Sequence, residues 1–458
     1  MQNMTRLMDI LDRSYNGPLT DEHEFDLRFV ADGIAKVVKK YNIKFDKSHI
    51  IQTDDALNDR VWQAAMEFFE YCGIYNTSTQ RRMIFTRREI EDAIKAAPAQ
   101  AIIGEGADAR IEYHREVEDP RPPLIVGGPI GTNLNEEMYL PVMQSYIQES
   151  VIDTITSGTL MTTHGRDPRT KSPLEIVAAW EEVDLLFTAA KRAGRPGMAI
   201  GAVQMGLSDI GYLSAISRFG YRPCDWHMIA LVGEMKTNNE LLNKLAHSVR
   251  QNGIIHGFYN PIYGGLAGGE EGLAVIITAG MIALQVVYMA VQHSTCPTHP
   301  SIFNDTAPQI LRSVSVSTAA ISRNSNIMST VMTSPVGGPL TDTLLYECVA
   351  MATTASSCGV TQILGVRSAV GVVPHHCTGL EARFNGEVGR AAAGLSRDSA
   401  NTIVEKAVAK YLPVMDTKPV GRPFWEAYNP ITIKPRQDWL DIYDRVKEEA
   451  RSWGLPLT

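Results

Sequence analysis

The stretch Gly253-Ile-Ile-His-Gly-Phe-Tyr-Asn-Pro-Ile-Tyr-Gly-Gly-Leu-Ala-Gly-Gly-Glu-Glu-Gly272 holds one complete unit of the fold. Gly253 to Tyr259, rich in Ile and aromatics, reads as a strand that Asn260-Pro261 ends. Gly264, Gly265, Gly268 and Gly269 follow as a loop in which close backbone approach costs little. Glu270 and Glu271 put negative charge at the positive end of a helix expected to run on to Val291. The working loop of such a unit comes after its strand.

The same grammar repeats on both sides of this stretch. Candidate strands are Leu124–Gly127, Thr154–Thr159, Met198–Gln204, Trp226–Val232, Gly253–Asn260, Thr298–Phe303, Ile327–Thr333 and Gln362–Arg367. Each is followed by a helical pattern, and Ser172-Pro-Leu-Glu175 starts the second helix with Ser as N-cap and Pro at its first position. Parallel strands need helical crossovers, so eight strand–helix units predict an α/β fold, a (β/α)8 TIM barrel, over residues 123–411. A doubly wound sheet competes less well, because no Gly-x-Gly-x-x-Gly follows the first strand. Residues 1–98 read as a helical extension in which Thr86-Arg-Arg-Glu89 is a capping box. Residues 99–115 read as a hairpin able to close the bottom of the barrel, and the Pro-rich 412–458 as a wrap ending in a helix.

A 458-residue chain that is 44% hydrophobic and 21% charged can bury a large core. Its formal net charge of −8 argues against nucleic-acid binding. Gly272–Val291 is apolar but opens on glutamates and belongs to a strand–helix unit, so it is expected to be a buried helix, not a membrane span. No apolar leader is apparent, and six scattered cysteines suit a reducing compartment, so the chain is expected to be cytoplasmic.

In a barrel, chemistry sits at the carboxyl ends of the strands. That shortlist is Gly127, Gly128, Thr162, His164, Gly201, Gln204, His227, His256, Phe258, Tyr259, Met332, Ser334, His375 and His376. His227 and His256 suit an acid/base pair or a substrate clamp, since His titrates near neutral pH, or alternatively hydrogen-bonded core positions. Phe258, Tyr259, Tyr263, Met228 and Met332 could cage a methylated cation, or simply pack the barrel top. His375-His-Cys377 and His293-x-x-Cys296-x-x-His299 carry metal-ligand chemistry. With strand six at Thr298, His293 and Cys296 fall at the opposite end of the barrel, so no shared ion is expected.

The third unit, Arg195-Pro-Gly-Met-Ala-Ile-Gly-Ala-Val-Gln-Met-Gly206, resembles the monomethylamine methyltransferases (MtmB). The resemblance continues in Cys72-Gly-Ile-Tyr75, Gly127-Gly-Pro129, Lys171-Ser-Pro173, Gly264-Gly-x-Ala-Gly-Gly269, Thr378-Gly-x-Glu-Ala-Arg383 and Gly386-Glu-Val388, and spans nearly the whole chain. It implies a barrel enzyme that hands a methyl group to the cobalt(I) of a separate corrinoid protein, with no cofactor of its own, and a homo-oligomer, a hexamer by resemblance. The family's pyrrolysine matches Gly201 here. Its pyrrolysine-contacting glutamates match Met228 and Phe258, and its glutamine and tyrosine match Met332 and Ser334. An acidic pocket has become apolar, and loss of the long side chain is expected to leave space above strand three. The expected substrate-binding set is therefore Gly201, Gln204, Met228, Phe258, Tyr259, Met332, Ser334 and His375, with His227 and His256 catalytic and no metal. A methylated, quaternary amine becomes the expected methyl donor. Two alternatives stay open: a zinc-assisted demethylase of a methoxy or thiomethyl compound, and a non-catalytic corrinoid-protein-binding homologue.

Overall fold

The computed structural model describes residues 2–202, 208–217 and 220–458. Eight parallel strands close into one barrel. They are β1 (Leu124–Gly127), β2 (Thr154–Thr156), β3 (Ile200–Gly201), β4 (Trp226–Leu231), β5 (Ile254–Tyr259), β6 (Gln292–Thr295), β7 (Met328–Thr333) and β8 (Gln362–Gly365). Spatial order follows chain order, and β8 closes the ring on β1. Helices α1 (Glu136–Ile147), α2 (Pro173–Arg192), α3 (Asp209–Ala215), α4 (Asn239–Gln251), α5 (Glu270–Tyr288), α6 (Pro308–Asn324), α7 (Asp342–Ser357) and α8 (Gly379–Ala391) follow the strands in turn. The TIM barrel expected from the repeated units is the fold observed.

Strand six is the exception in placement. Thr298–Phe303 forms a loop, and β6 lies earlier, at Gln292–Thr295. Helix α5 stops at Tyr288, where Met289 turns left-handed at φ 53°. The strand after it is made of polar residues, all buried. Three of them find partners: Gln292 bonds His256 and Glu112, His293 bonds Gln285, and Thr295 donates to the Tyr259 carbonyl.

Helix α5 is apolar on every side and buried along nearly its whole length inside the protein, as a helix hydrophobic all round must be. Its inner face meets β5, and its outer face is covered by Asp55–Cys72 of the N-terminal extension. Glu270 at its start forms a buried fork with Arg312 on α6, at 2.6 and 3.1 Å. The capping box at Thr86 and Glu89 is present and starts the helix Arg87–Lys95. The helical segment after β8 is two helices, Gly379–Ala391 and Arg397–Tyr411, because Gly394 turns left-handed and Ser396 caps a fresh start.

The hairpin of Gln100–Ile103 and Arg110–Tyr113 stoppers the amino-terminal end of the barrel. Its Glu112 is buried and accepts hydrogen bonds from Gln292 Nε2 (3.0 Å) and from Gln362 Nε2. Burial raises this carboxyl to about 7, against the pull of the two amides.

Candidate functional site

Strand pleating sends alternate side chains into the barrel and out under the helices. On β4, Trp226 and Met228 point in; on β5, Ile254, His256 and Phe258 do. His227 and Tyr259 have the other parity. His227 lies outside the barrel wall, edge-on to Tyr221 and 3.4 Å from the Arg222 carbonyl. Tyr259 packs against α5, so closely that a Cβ on Gly280 would stand 2.2 Å from its ring. Neither reaches the barrel mouth. His227 and His256 also sit in the early part of their strands, not at the carboxyl ends, so the expected acid/base pairing has no geometric basis. The sheet wall separates them.

The interior is layered from the bottom up. Above Glu112, the Gln292 amide nitrogen donates to that carboxylate, so its oxygen faces His256 Nδ1 at 2.9 Å. This makes Nδ1 the protonated nitrogen of His256 and leaves Nε2 buried without a partner. Burial lowers the His256 pKa to about 4, so the ring is neutral near pH 7. The Trp226 indole lies over it, ring centres 4.5 Å apart, and its Nε1–H donates to Thr154 Oγ1 at 3.0 Å.

Trp226 corrects the expectation of open space above strand three. A Cβ on Gly201 would stand 1.7 Å from Trp226 Cε2, so the indole occupies the place a side chain at 201 would need. Glycine is required there by close approach. Gln204, the other expected residue of this unit, lies outside the described residues.

Above Trp226 a cavity of about 570 Å3 opens at the carboxyl ends of the strands. Met228, Phe258 and Met332 line it, together with Trp226, Cys296, Leu364 and Arg367, and Phe303 and Val372 stand exposed at its edge. Thr156, Thr159, Asn133, Asn260 and Thr298 supply neutral polar groups, and among the described residues no carboxylate lines the wall. Ser334 is buried behind it: Asp305 holds its N–H at 2.8 Å, and its hydroxyl faces Arg367 Nη1 at 3.5 Å. His375 stands outside the cavity wall, accepting the Asn135 N–H at 3.0 Å and resting on Trp425. Its role there is to hold the loop ahead of α1.

The relocated β6 also moves Cys296. It belongs to the mouth and lines the cavity, its thiol 3.6 Å from Asp305 Oδ2, where burial raises its pKa far above the usual thiol value. His293 faces α5, His299 stacks on Tyr263, and His376 bonds the Val420 carbonyl. Among the described residues no three His, Cys, Asp or Glu side chains converge as a metal would need. Trp226, Cys296 and Arg367 were absent from the expected set. Counting in twos from Met228 would have reached Trp226.

A family model described as "Monomethylamine methyltransferase MtmB" matches residues 5–455. Monomethylamine methyltransferase MtmB2 of Methanosarcina barkeri is 33% identical over 447 residues, covering 98% of this chain and 97% of that protein. MtmB of Methanosarcina mazei shows the same identity and coverage. The crystal structure of the Methanosarcina barkeri enzyme superimposes with a TM-score of 0.95 at 32% identity, over 98% of each chain, and a hydroxylamine complex of MtmB matches equally well.

Proposed function

The chain belongs to the monomethylamine methyltransferase family and is a methyltransferase, and from that premise we propose that it takes a methyl group from a quaternary amine and delivers it to the cobalt(I) of a cognate corrinoid protein. The family is corrinoid-protein dependent. One observation carries the choice of donor: the cavity wall of Met228, Phe258, Met332 and Trp226 offers rings and thioethers and, among the described residues, no carboxylate. A primary ammonium brings N–H donors, and each left buried without an acceptor costs about 1–3 kcal/mol. A quaternary ammonium brings none, and a well-placed ring face contributes about 0.5–2 kcal/mol.

The chemistry suits the same donor. The carbon–nitrogen bond breaks with both electrons passing to nitrogen, so a cationic nitrogen leaves as a neutral amine. The methyl carbon receives its new bonding pair from cobalt(I). No side chain has to transfer a proton for this, consistent with the neutral His256 and with a wall free of acids among the described residues. The protein's part is to exclude water and hold the methyl in line with the acceptor. Val232, Ile262, Phe303 and Val372, exposed apolar residues after β4, β5, β6 and β8, surround the mouth and suit the docking of the partner.

The test is a methyl-transfer assay with the reconstituted cobalt(I) corrinoid protein, following the corrinoid spectrum. Quaternary ammonium compounds with and without a carboxylate are compared with monomethylamine. Consumption of a quaternary donor supports the proposal, and consumption of monomethylamine alone refutes it.

A further inference from the structure

We infer that the donor is a zwitterion, its carboxylate held by Arg367 on one wall of the cavity and its methylated ammonium set against Trp226 and Phe258 across from it. The inference rests on the quaternary-amine function proposed above and narrows it. Arg367 is the one charged side chain lining the cavity among the described residues. It is half-buried, and its guanidinium carries five N–H donors. Among the described residues the side chain makes a single long hydrogen-bond contact, 3.5 Å from Nη1 to the neutral hydroxyl of Ser334. Its stem is held against the turn at Gly371, where a Cβ would stand 2.5 Å from Nε.

No carboxylate among the described residues forms an ion pair with Arg367. Asp305 is the acid whose field it feels, yet Asp305 is already engaged by the Ser334 N–H at 2.8 Å and faces the Cys296 thiol. Burial raises Asp305 to about 8, so it is largely protonated at pH 7 and leaves the guanidinium charge uncompensated. A cation alone would enter a cavity whose only charge among the described residues is positive. A ligand carrying its own anion removes that conflict.

Topology fixes the ligand's direction. Arg367 follows β8, and β8 stands four strands from β4 in either direction around the closed ring. The positive group and the Trp226–Met228 wall therefore face each other across the cavity. A planar carboxylate matches the guanidinium fork, whereas a doubly charged phosphate would call for a second cation that the wall lacks among the described residues. The volume of about 570 Å3 is that of a small-molecule site.

Calorimetry on the full-length protein without its partner tests this, with N,N,N-trimethylglycine and tetramethylammonium as probes. Trimethylglycine should bind about tenfold or more tightly than tetramethylammonium. Arg367→Gln should erase that preference by weakening trimethylglycine alone, and Arg367→Lys should retain part of it. Circular dichroism checks that the variants fold; should the Gln variant not fold, the wild-type ratio and the Lys variant decide. Equal or tighter binding of tetramethylammonium to the wild type, or unaltered trimethylglycine binding by Arg367→Gln, overturns the inference. Efficient methyl transfer from tetramethylammonium would overturn it while leaving the quaternary-amine function standing. Failure of both probes, with turnover of monomethylamine alone, would overturn the two together.

Discussion

Replacing Gly201 by Ala should damage the protein far beyond what one methyl group suggests. The new Cβ would stand 1.7, 1.9 and 2.3 Å from Cε2, Cδ2 and Cζ2 of Trp226. These are ring atoms of a side chain only 1% exposed, with His256 beneath it and Thr154 holding its N–H, so no flexible end can swing clear. Overpacking of this kind costs about 1–3 kcal/mol. Pushing the indole off Thr154 adds about 1–3 kcal/mol for a buried donor left unpaired. The sum, about 2–6 kcal/mol, should appear as a lower midpoint in urea unfolding followed by circular dichroism. A double-mutant cycle isolates the cause. Trp226→Ala alone should cost about 3–5 kcal/mol, but in that background Gly201→Ala should cost close to nothing, since the obstructing ring is gone. The coupling energy should then be about 2 kcal/mol or more in favour of the double variant. Additivity of the two substitutions to within about 0.5 kcal/mol, or a Gly201→Ala protein as stable as wild type, would refute the packing argument.

Phe258→Ala should weaken binding of a quaternary ammonium probe by about 0.5–2 kcal/mol, measured by calorimetry, and unchanged affinity would remove the ring from the site. Arg312→Met strands Glu270 as a buried, unpaired charge and should destabilise by about 3–5 kcal/mol, whereas Glu270→Met with Arg312→Met should recover most of the loss; unfolding midpoints give both. His256 has a folded pKa of about 4 against about 6.5 for an unfolded histidine, so the unfolded chain binds the extra proton between those values. That contribution is present above pH 6.5 and is lost as pH falls toward 4, and His256→Gln should flatten the decline; parallel stability–pH curves would contradict the assignment. Sedimentation at micromolar concentration should give a hexamer, and a lone monomer would count against the assembly implied by the resemblance.

The barrel was legible because most of its strands announce themselves. Trp226–Leu231 and Ile254–Tyr259 are apolar or aromatic and are followed by turn residues, and the helix after the first of them carries an Asn238 cap. Gln292–Thr295 gave no such signal. Its four polar residues form a strand only because amides, a carboxylate and carbonyls from distant segments await them inside, and pairing of that kind is a property of the folded whole. For the site, Met228, Phe258 and Met332 line the cavity, whereas Ser334, expected with them, lies buried behind it. His227 and Tyr259 were grouped with them although each is the immediate neighbour of an inward residue, and a period of two sends such neighbours to opposite faces. Arg367 looked like an ordinary strand end. That no carboxylate among the described residues forms an ion pair with it depends on how β8, Ser334 and Asp305 meet in space, which spacing along the chain does not encode.

The hairpin that carries Glu112 has a bearing on traffic. With the lower end of the barrel stoppered, whatever enters the cavity leaves by the same door, past Phe303 and Val372. On the proposed function, that door is also the seat of the protein that accepts the methyl group. The donor must then load first, and the spent amine must wait until the acceptor departs. Two-substrate kinetics become a strict queue. Raising the acceptor's concentration would eventually slow turnover by shutting spent amine inside, a form of inhibition that a tunnel open at both ends would escape.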